Sequence, residues 1–342
     1  MTRIGIISLA HGHAFSYLRS LAATAGVEIR VADPDAAPGE AGRGAAALEG
    51  TGATWADSLE DLLGWEPDGV IVCSENSRHR GYTEAALAVG AHVLCEKPIA
   101  TSVADAQAMI AAAETVDRRL MIAHPVRYSD AFVRLRSAIE RGDVGELLAV
   151  TGTNNGKIPG DRAWFTDPDL AGGGAVTDHT VHVADLMDAL LDGDAPVAVS
   201  ARSHRLLHPE AAVETAGLVQ VRYAGGVVVT IDCSWSRPPD YPTWGGLTLE
   251  VVGSAGLARM DAFGTRLDGH LTGRGQAWFA YGPDMDAALI AEFLDVVRTG
   301  RRPHPDGHAG LRGAAIVAAA YESVRTGDVV TIEQVLEASR PT

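Results

Sequence analysis

"DGVIVCSENSRHRGYTEAALAVGAHVLCEKPIATS", residues 68–102, holds a strand, a helix and a second strand in one short stretch. "DGVIVCS" and "AHVLCE" are apolar throughout rather than alternating, as strands covered on both faces are. "HRGYTEAALAVG" between them is helical in spacing, and Gly90 is placed to follow its last turn. Two such strands joined by a helix form a parallel unit.

The same alternation runs over residues 1–123. "RIGIIS", "VEIRVAD", "ATW" and "RLMIAH" read as further strands. "AFSYLRSLAAT" is a helix with Phe15, Leu18, Leu21 and Ala22 on one face, and a second helix is centred on Glu40–Ala47. "SLEDLL" starts at an N-cap, Ser58, with Asp61 as a partial capping box, and "SVADAQAMIAAAET" completes the set. The fold class is α/β, with an N-terminal doubly wound Rossmann domain over 1–123. After Ala123 the pattern changes: a helix over about Asp130–Arg141, the strand "ELLAVTGTN", and a helix over about Val176–Leu191. Alternating strands follow. "ETAGLVQVRY" and "VVVTIDCSW" form a hairpin across Ala224–Gly226, and "LTLEVVG" with "LARMDAF" forms another. Helices over about Met285–Arg298 and Ala309–Thr326 finish the chain. Residues 124–342 are therefore an α+β domain on a large, mostly antiparallel sheet, serving substrate binding and oligomerisation.

The chain has 342 residues and a formal net charge of −16. An acidic surface repels phosphate backbones and anionic lipid, so the expected partners include neither nucleic acid nor membrane. Cys73, Cys95 and Cys233 are odd in number and form no CxxC pair. They read as reduced core thiols of a cytoplasmic protein. The N-terminus "MTRIGIISLAHGH" lacks a signal-peptide pattern.

A dinucleotide loop usually carries G-x-G-x-x-G between the first strand and helix. Here Ser8, Ala10 and His13 stand at the three glycine positions, with His11 and Gly12 between them. The helix start after them is still placed to receive a phosphate. Asp33 ends the second strand, where an acid binds a ribose 2′-hydroxyl and repels a 2′-phosphate, so NAD is the expected cofactor. The plain alternative is a solvated turn acid. Strand alternation puts Arg30 on the opposite face from Asp33. For the pair His11 and His13 three readings stay open: contact with nicotinamide ribose or substrate, metal ligation, or a hydrogen-bonded loop pair.

In "GGGAVTDHTVHVADLM", residues 172–187, Asp178, His182 and Asp185 fall at i, i+4 and i+7 on one helical face. A purely structural helix does not normally load one inner face with two acids and an imidazole. Zinc ligation by His179 and His182 lacks a third ligand at convincing spacing, so no metal is expected.

Glu96-Lys97-Pro98 and the glycine-triplet helix, in this order and spacing, resemble the Gfo/Idh/MocA oxidoreductases, the family of glucose–fructose oxidoreductase and inositol dehydrogenase. The resemblance extends to "AAYESVRTGDVV" near the C-terminus, and the first loop departs from it. It implies that Lys97 bonds the reacting hydroxyl, that Pro98 lies in a cis peptide or tight turn, and that Glu96 helps hold the nicotinamide ribose. It also implies that His182 is the general base and that Asp178 binds the substrate hydroxyl or orients His182. His179 and Asp185 stand behind them. Ser74, Asn76 and His79 match a cofactor-facing loop, and Arg127 an arginine near the nicotinamide. "TNNGKIPGDRAWF" is expected to line the substrate site through Asn154, Asn155, Lys157 and Trp164, since amides beside an aromatic suit a polyhydroxylated ring. Trp235 and Trp244 serve there or in packing. The expected activity is NAD-dependent oxidation of a secondary alcohol of a sugar or cyclitol. Alternatives are an NAD-recycling glycosidase, epimerase or lyase, and a non-catalytic NAD- or sugar-binding protein. A homo-oligomer, dimer or tetramer, is expected from the broad sheet of the second domain.

Overall fold

The computed structural model describes residues 1–37, 40, 42–273 and 275–339. The first part of the chain runs β1 (Thr2–Ile7), α1 (His13–Ala22), β2 (Val27–Ala32), β3 (Thr54–Trp55), α2 (Leu59–Gly64) and β4 (Gly69–Val72). It continues with α3 (His79–Ala88), β5 (His92–Glu96), α4 (Val103–Thr115) and β6 (Leu120–Ala123). The six strands pair in the order β3-β2-β1-β4-β5-β6, all parallel. The order reverses between β1 and β4, which makes the crevice at their C-terminal ends the natural ligand position. Most of β1, all of β4 and four of the five residues of β5 are buried, as a sheet covered on both faces requires.

Beyond these come α5 (Asp130–Glu140), β7 (Leu147–Gly156), α6 (Pro168–Ala171), α7 (Ala175–Leu190), β8 (Pro196–His204), β9 (Ala216–Tyr223) and β10 (Val228–Ser234). They are followed by β11 (Gly245–Gly253), β12 (Gly256–Asp261), β13 (Arg266–Leu271), β14 (Gly275–Ala280), α8 (Met285–Thr299), α9 (Gly307–Thr326), β15 (Val330–Thr331) and α10 (Ile332–Ala338). A seven-stranded sheet has the order β12-β11-β7-β10-β9-β8-β15, while β13 and β14 pair separately. Its β7–β10 pair is parallel and the other pairs are antiparallel. β9 alternates buried odd residues with even ones turned outward, and the buried row meets α7.

The chain forms two compact units, 1–125 with 285–311, and 126–284 with 312–342. The expected division is 1–123 and an unbroken 124–342; here α8 and the residues to Leu311 return to the first unit. A Cβ on Gly69 would lie 2.7 Å from Val297 and 3.1 Å from Phe293, so α8 packs directly against the start of β4. Three local expectations also change. The helix expected over residues 40–47 is a single 3₁₀ turn at Ala45–Leu48, because Gly42 and Gly44 take the left-handed φ values 76° and 81°; residue 41 lies outside the described residues. In α1 the buried face is Ala14, Tyr17, Leu18 and Leu21 rather than the one containing Phe15 and Ala22. Ser58 caps α2 by accepting from the Asp61 N–H, as expected, but Asp61 reaches back to the N–H of Asp57 rather than of the cap.

Candidate functional site

In the first unit the chemistry gathers at the C-terminal ends of β1, β2, β4 and β5. Ser8 takes the left-handed φ of 73°, at the position where the usual loop has its first glycine. The bend survives without glycine, at a strain cost on the order of 1–3 kcal/mol. Ser8 Oγ accepts from the Ala10 N–H at 3.2 Å, and the His11 N–H donates to Cys73 O at 2.9 Å. At the helix start, the His13 N–H donates to His11 Nδ1 at 3.3 Å, Ala14 N–H to His11 O at 3.1 Å and Phe15 N–H to Gly12 O at 3.3 Å. The loop thus spends several of its N–H groups internally. Asp33, at the end of β2, is buried and both its oxygens accept from Arg43, a residue the sequence reading did not single out. Arg30 lies on the other side, near Asp61 and over Trp65, as alternation requires.

Glu96 ends β5 with no exposure to solvent. Its Oε1 accepts from the Tyr17 hydroxyl at 2.6 Å and from His13 Nδ1 at 3.0 Å, with His11 Nδ1 at 3.7 Å. His11 and His13 meet edge to face with centroids 4.5 Å apart. Metal-ligating atoms of His11, His13 and Glu96 all lie within 4.8 Å of one another, and the hydrogen bonds to Glu96 account for that closeness. Burial raises the Glu96 pKa, but the charges of His11 and His13 and the bonds from His13 and Tyr17 outweigh it and hold the carboxyl well below its ordinary value. For His13 burial opposes the charge, and Glu96 overcomes it, so the imidazole titrates above its ordinary 6.5. The signs define a window. Glu96 stabilises the fold above its unfolded pKa near 4.5, and that contribution fades as pH falls through the lower folded value. His13 stabilises below 6.5 and loses its contribution as pH rises through the raised folded value. Glu96→Gln is therefore expected to cost about 1–3 kcal/mol, most between these two values and less at alkaline pH. Denaturant unfolding across the pH range checks this; a cost that grows above pH 8 contradicts the ion pair.

Lys97 follows Glu96 directly, is itself buried, and is joined to Pro98 by a cis peptide bond, one of the two forms the resemblance implied. His79 is fully buried, with Nδ1 2.9 Å from Pro98 O and Nε2 3.2 Å from Ser74 O. It therefore ties the ends of β4 and β5 together. Ser74 and Asn76 are buried in the same turn, where Ser74 Oγ donates to Glu75 O.

In the second unit, Asp178, His179, His182 and Asp185 on α7 are all buried. Asp178 Oδ2 accepts from Trp235 Nε1–H at 3.2 Å and lies 3.1 Å from His179 Nε2. His179 Nδ1–H donates to Asn154 O at 2.8 Å, and Asn154 Nδ2 donates back to His179 O at 3.2 Å, so α7 is pinned to β7 beside the acid. Asn155 is a correction. Strand alternation turns it to the opposite face, where it donates to Ser234 Oγ at 2.7 Å and to Asp232 at 3.3 Å, so the two asparagines do not line one site. Arg127 donates from Nε and Nη2 to both oxygens of Asp185, and its Nη2 also meets Asp188, so in this structure it braces α7. Lys157 Nζ donates to Pro239 O, and Trp164 is buried in a stack on Phe165. Trp235 is buried on Asp178, while Trp244 is half-exposed and meets His179 edge to face.

The glycine triplet fixes where α7 begins. Gly174 has no side chain to cap the helix, and Glu214 does so from a distance, accepting from the Gly174 N–H at 3.0 Å and the Val176 N–H at 2.9 Å. A Cβ on Gly174 would lie 1.9 Å from Glu214 O, and one on Gly173 would lie 2.0 Å from the Tyr321 hydroxyl oxygen. Gly174→Ala is thus expected to cost about 3 kcal/mol or more by forcing backbone apart, while Gly160→Ala, with nothing within 4 Å, serves as the control. Equal melting temperatures for the two variants would remove the steric argument.

Two models of one family match the chain. Residues 4–124 match "Oxidoreductase family, NAD-binding Rossmann fold", and residues 132–259 match "GFO/IDH/MocA C-terminal domain". The chain is 29% identical to 1,5-anhydro-D-fructose reductase of Ensifer adhaerens, over 81% of this chain and 83% of that one. It is 27% identical to inositol 2-dehydrogenase of Gluconacetobacter diazotrophicus, over 82% and 81%. The crystal structure of GenD2 from gentamicin A biosynthesis, in complex with NAD, superposes with a TM-score of 0.86 at 25% identity, covering 96% of each chain.

Proposed function

The chain belongs to the Gfo/Idh/MocA family of NAD(P)-dependent oxidoreductases, and on that premise we propose that it is an NAD-dependent dehydrogenase of a secondary alcohol on a sugar or cyclitol. The observation that carries this reading is the loading of α7: a buried acid, Asp178, lies one turn before a buried imidazole, His182, with His179 and Asp185 buried beside them on the same helix. The first unit suits a dinucleotide in its strand order, its bent loop at Ser8 and its buried acid at the end of β2. Bound NAD supplies the hydride acceptor.

His182 takes the hydroxyl proton as the carbon's C–H bond breaks with its electron pair, leaving a carbonyl. The Lys97 ammonium stabilises the negative charge that gathers on the oxygen. Asp178, held by Trp235, binds the substrate hydroxyl or orients His182. Asn154, fixed by its reciprocal bonds to His179, is the asparagine retained for the substrate site. NAD is favoured over NADP because the four acids Asp33, Asp35, Glu40 and Glu75 outnumber the guanidiniums of Arg43 and Arg78 that pair with them and leave the β2 end acidic.

The test is turnover on a panel of cyclitols and pyranoses with NAD and with NADP, read by reduced nicotinamide. Stoichiometric NADH with NAD preferred supports the reading. Product formed with no net NADH favours the recycling reaction instead, and NAD binding with no turnover favours a binding protein. The outward face of the seven-stranded sheet, with Leu218 62% exposed, is in this reading where copies of the chain pair. A monomer by light scattering at micromolar concentration discards that part.

A further inference from the structure

We propose that Arg43 is a cofactor-binding residue that meets the diphosphate of the dinucleotide, its Nη2–H supplying from a side chain a donor that a glycine-rich loop supplies from backbone. The inference rests on the dinucleotide reading above and adds a residue to it. Arg43 lies between β2 and β3, yet its side chain is only 8% exposed. Its Nε donates to Asp33 Oδ2 at 2.8 Å and its Nη2 to Asp33 Oδ1 at 2.5 Å, a two-point grip that fixes the guanidinium plane. Nη1 faces Glu75 at 3.3 Å and Glu40 at 3.4 Å. The remaining Nη2 donor reaches across to Ser8 Oγ at 3.1 Å, at the bend where the first glycine of the usual loop stands.

Three features make this a phosphate donor rather than a surface ion pair. First, the N–H groups of Ala10, His11, His13, Ala14 and Phe15 already have acceptors within the chain, so the loop has less backbone to offer an anion. Second, the Nη2 donor on this side is spent on a neutral hydroxyl, a weaker acceptor than a phosphate oxygen, and can be exchanged for one at a gain. Third, the acids are divided between edges. Glu40 and Glu75 hold the Nη1 edge and Asp33 grips the guanidinium along Nε and Nη2, whereas on the Ser8 side the described residues place a hydroxyl rather than a carboxylate. The same acids make the β2 end hostile to a second phosphate on the ribose.

The experiment measures binding of NAD, ADP-ribose and adenosine by calorimetry or NMR titration to the wild-type chain, Arg43→Ala and Arg43→Lys, with folding checked for each by circular dichroism and melting. The expected result is a loss of about 10–100-fold for NAD and ADP-ribose in Arg43→Ala, as for a charge-assisted hydrogen bond. Adenosine should change by less than about twofold, and Arg43→Lys should recover part of the loss, since a point charge can still meet a phosphate. If adenosine loses as much as ADP-ribose and lysine recovers nothing, Arg43 only braces Asp33 and the proposal is wrong. It is equally wrong if folded Arg43→Ala binds NAD like the wild type. Should Arg43→Ala fail to fold, Arg43→Lys decides alone: NAD and ADP-ribose weakened by a common factor with adenosine unchanged supports the proposal, and any other pattern overturns it. A wild-type chain that binds neither NAD nor ADP-ribose overturns the cofactor reading itself, a result distinct from the others.

Discussion

Lys97→Ala is expected to lower kcat by about 10³-fold or more while NAD affinity stays close to that of the wild type. Removing one donor to a developing oxyanion typically costs about 10²–10³-fold, and Lys97 is buried, where such a donor acts with little screening by water. Lys97→Arg should not restore activity, because the planar guanidinium is larger and presents its donors differently from an ammonium. Steady-state rates on the best alcohol of the panel, with folding verified, provide the check. A folded Lys97→Ala enzyme with near wild-type turnover would falsify the assignment.

His182→Ala should lower kcat by about 10²–10⁴-fold, the usual worth of a general base. The fall should appear in kcat rather than in cofactor affinity, since the proton moves only in the chemical step. The two losses should not add. If Lys97 and His182 serve one oxygen, the double variant is little worse than the poorer single one. Two fully additive losses would mean that the residues act at separate steps, and the mechanism above would have to be abandoned.

Much of the fold was readable because it depends on local pattern. Strands buried on both faces stay apolar throughout, so β1, β4, β5 and β6 stood out, and Gly90 and Ser58 marked helix ends by their own chemistry. Candidate site residues stood out where they sit on one element, as with Asp178 and His182 on α7, or adjoin in sequence, as with Glu96 and Lys97. What escaped depends on partners distant in sequence. Nothing in "GEAGRG" announces that Arg43 grips Asp33, because the intervening glycines hide any helical spacing. Tyr17 read as an ordinary helix residue, although its hydroxyl closes on Glu96. Arg127 matched a family position, yet its bonds to Asp185 are set by how α7 packs. Asn155 was the avoidable error, since strand alternation alone separates it from Asn154.

The return of α8 to the first unit bears on how this chain is made. Residues 1–125 leave the ribosome early, but the surface beside Gly69 stays open until Phe293 and Val297 have been synthesised. The second unit also waits, because it takes residues 312–342. Neither hydrophobic core is complete on the nascent polypeptide until residues 285–311, for the first unit, and 312–342, for the second, have been made. Each unit is therefore completed by a segment made after most or all of the other unit's strands, which leaves part of each core uncovered in the meantime.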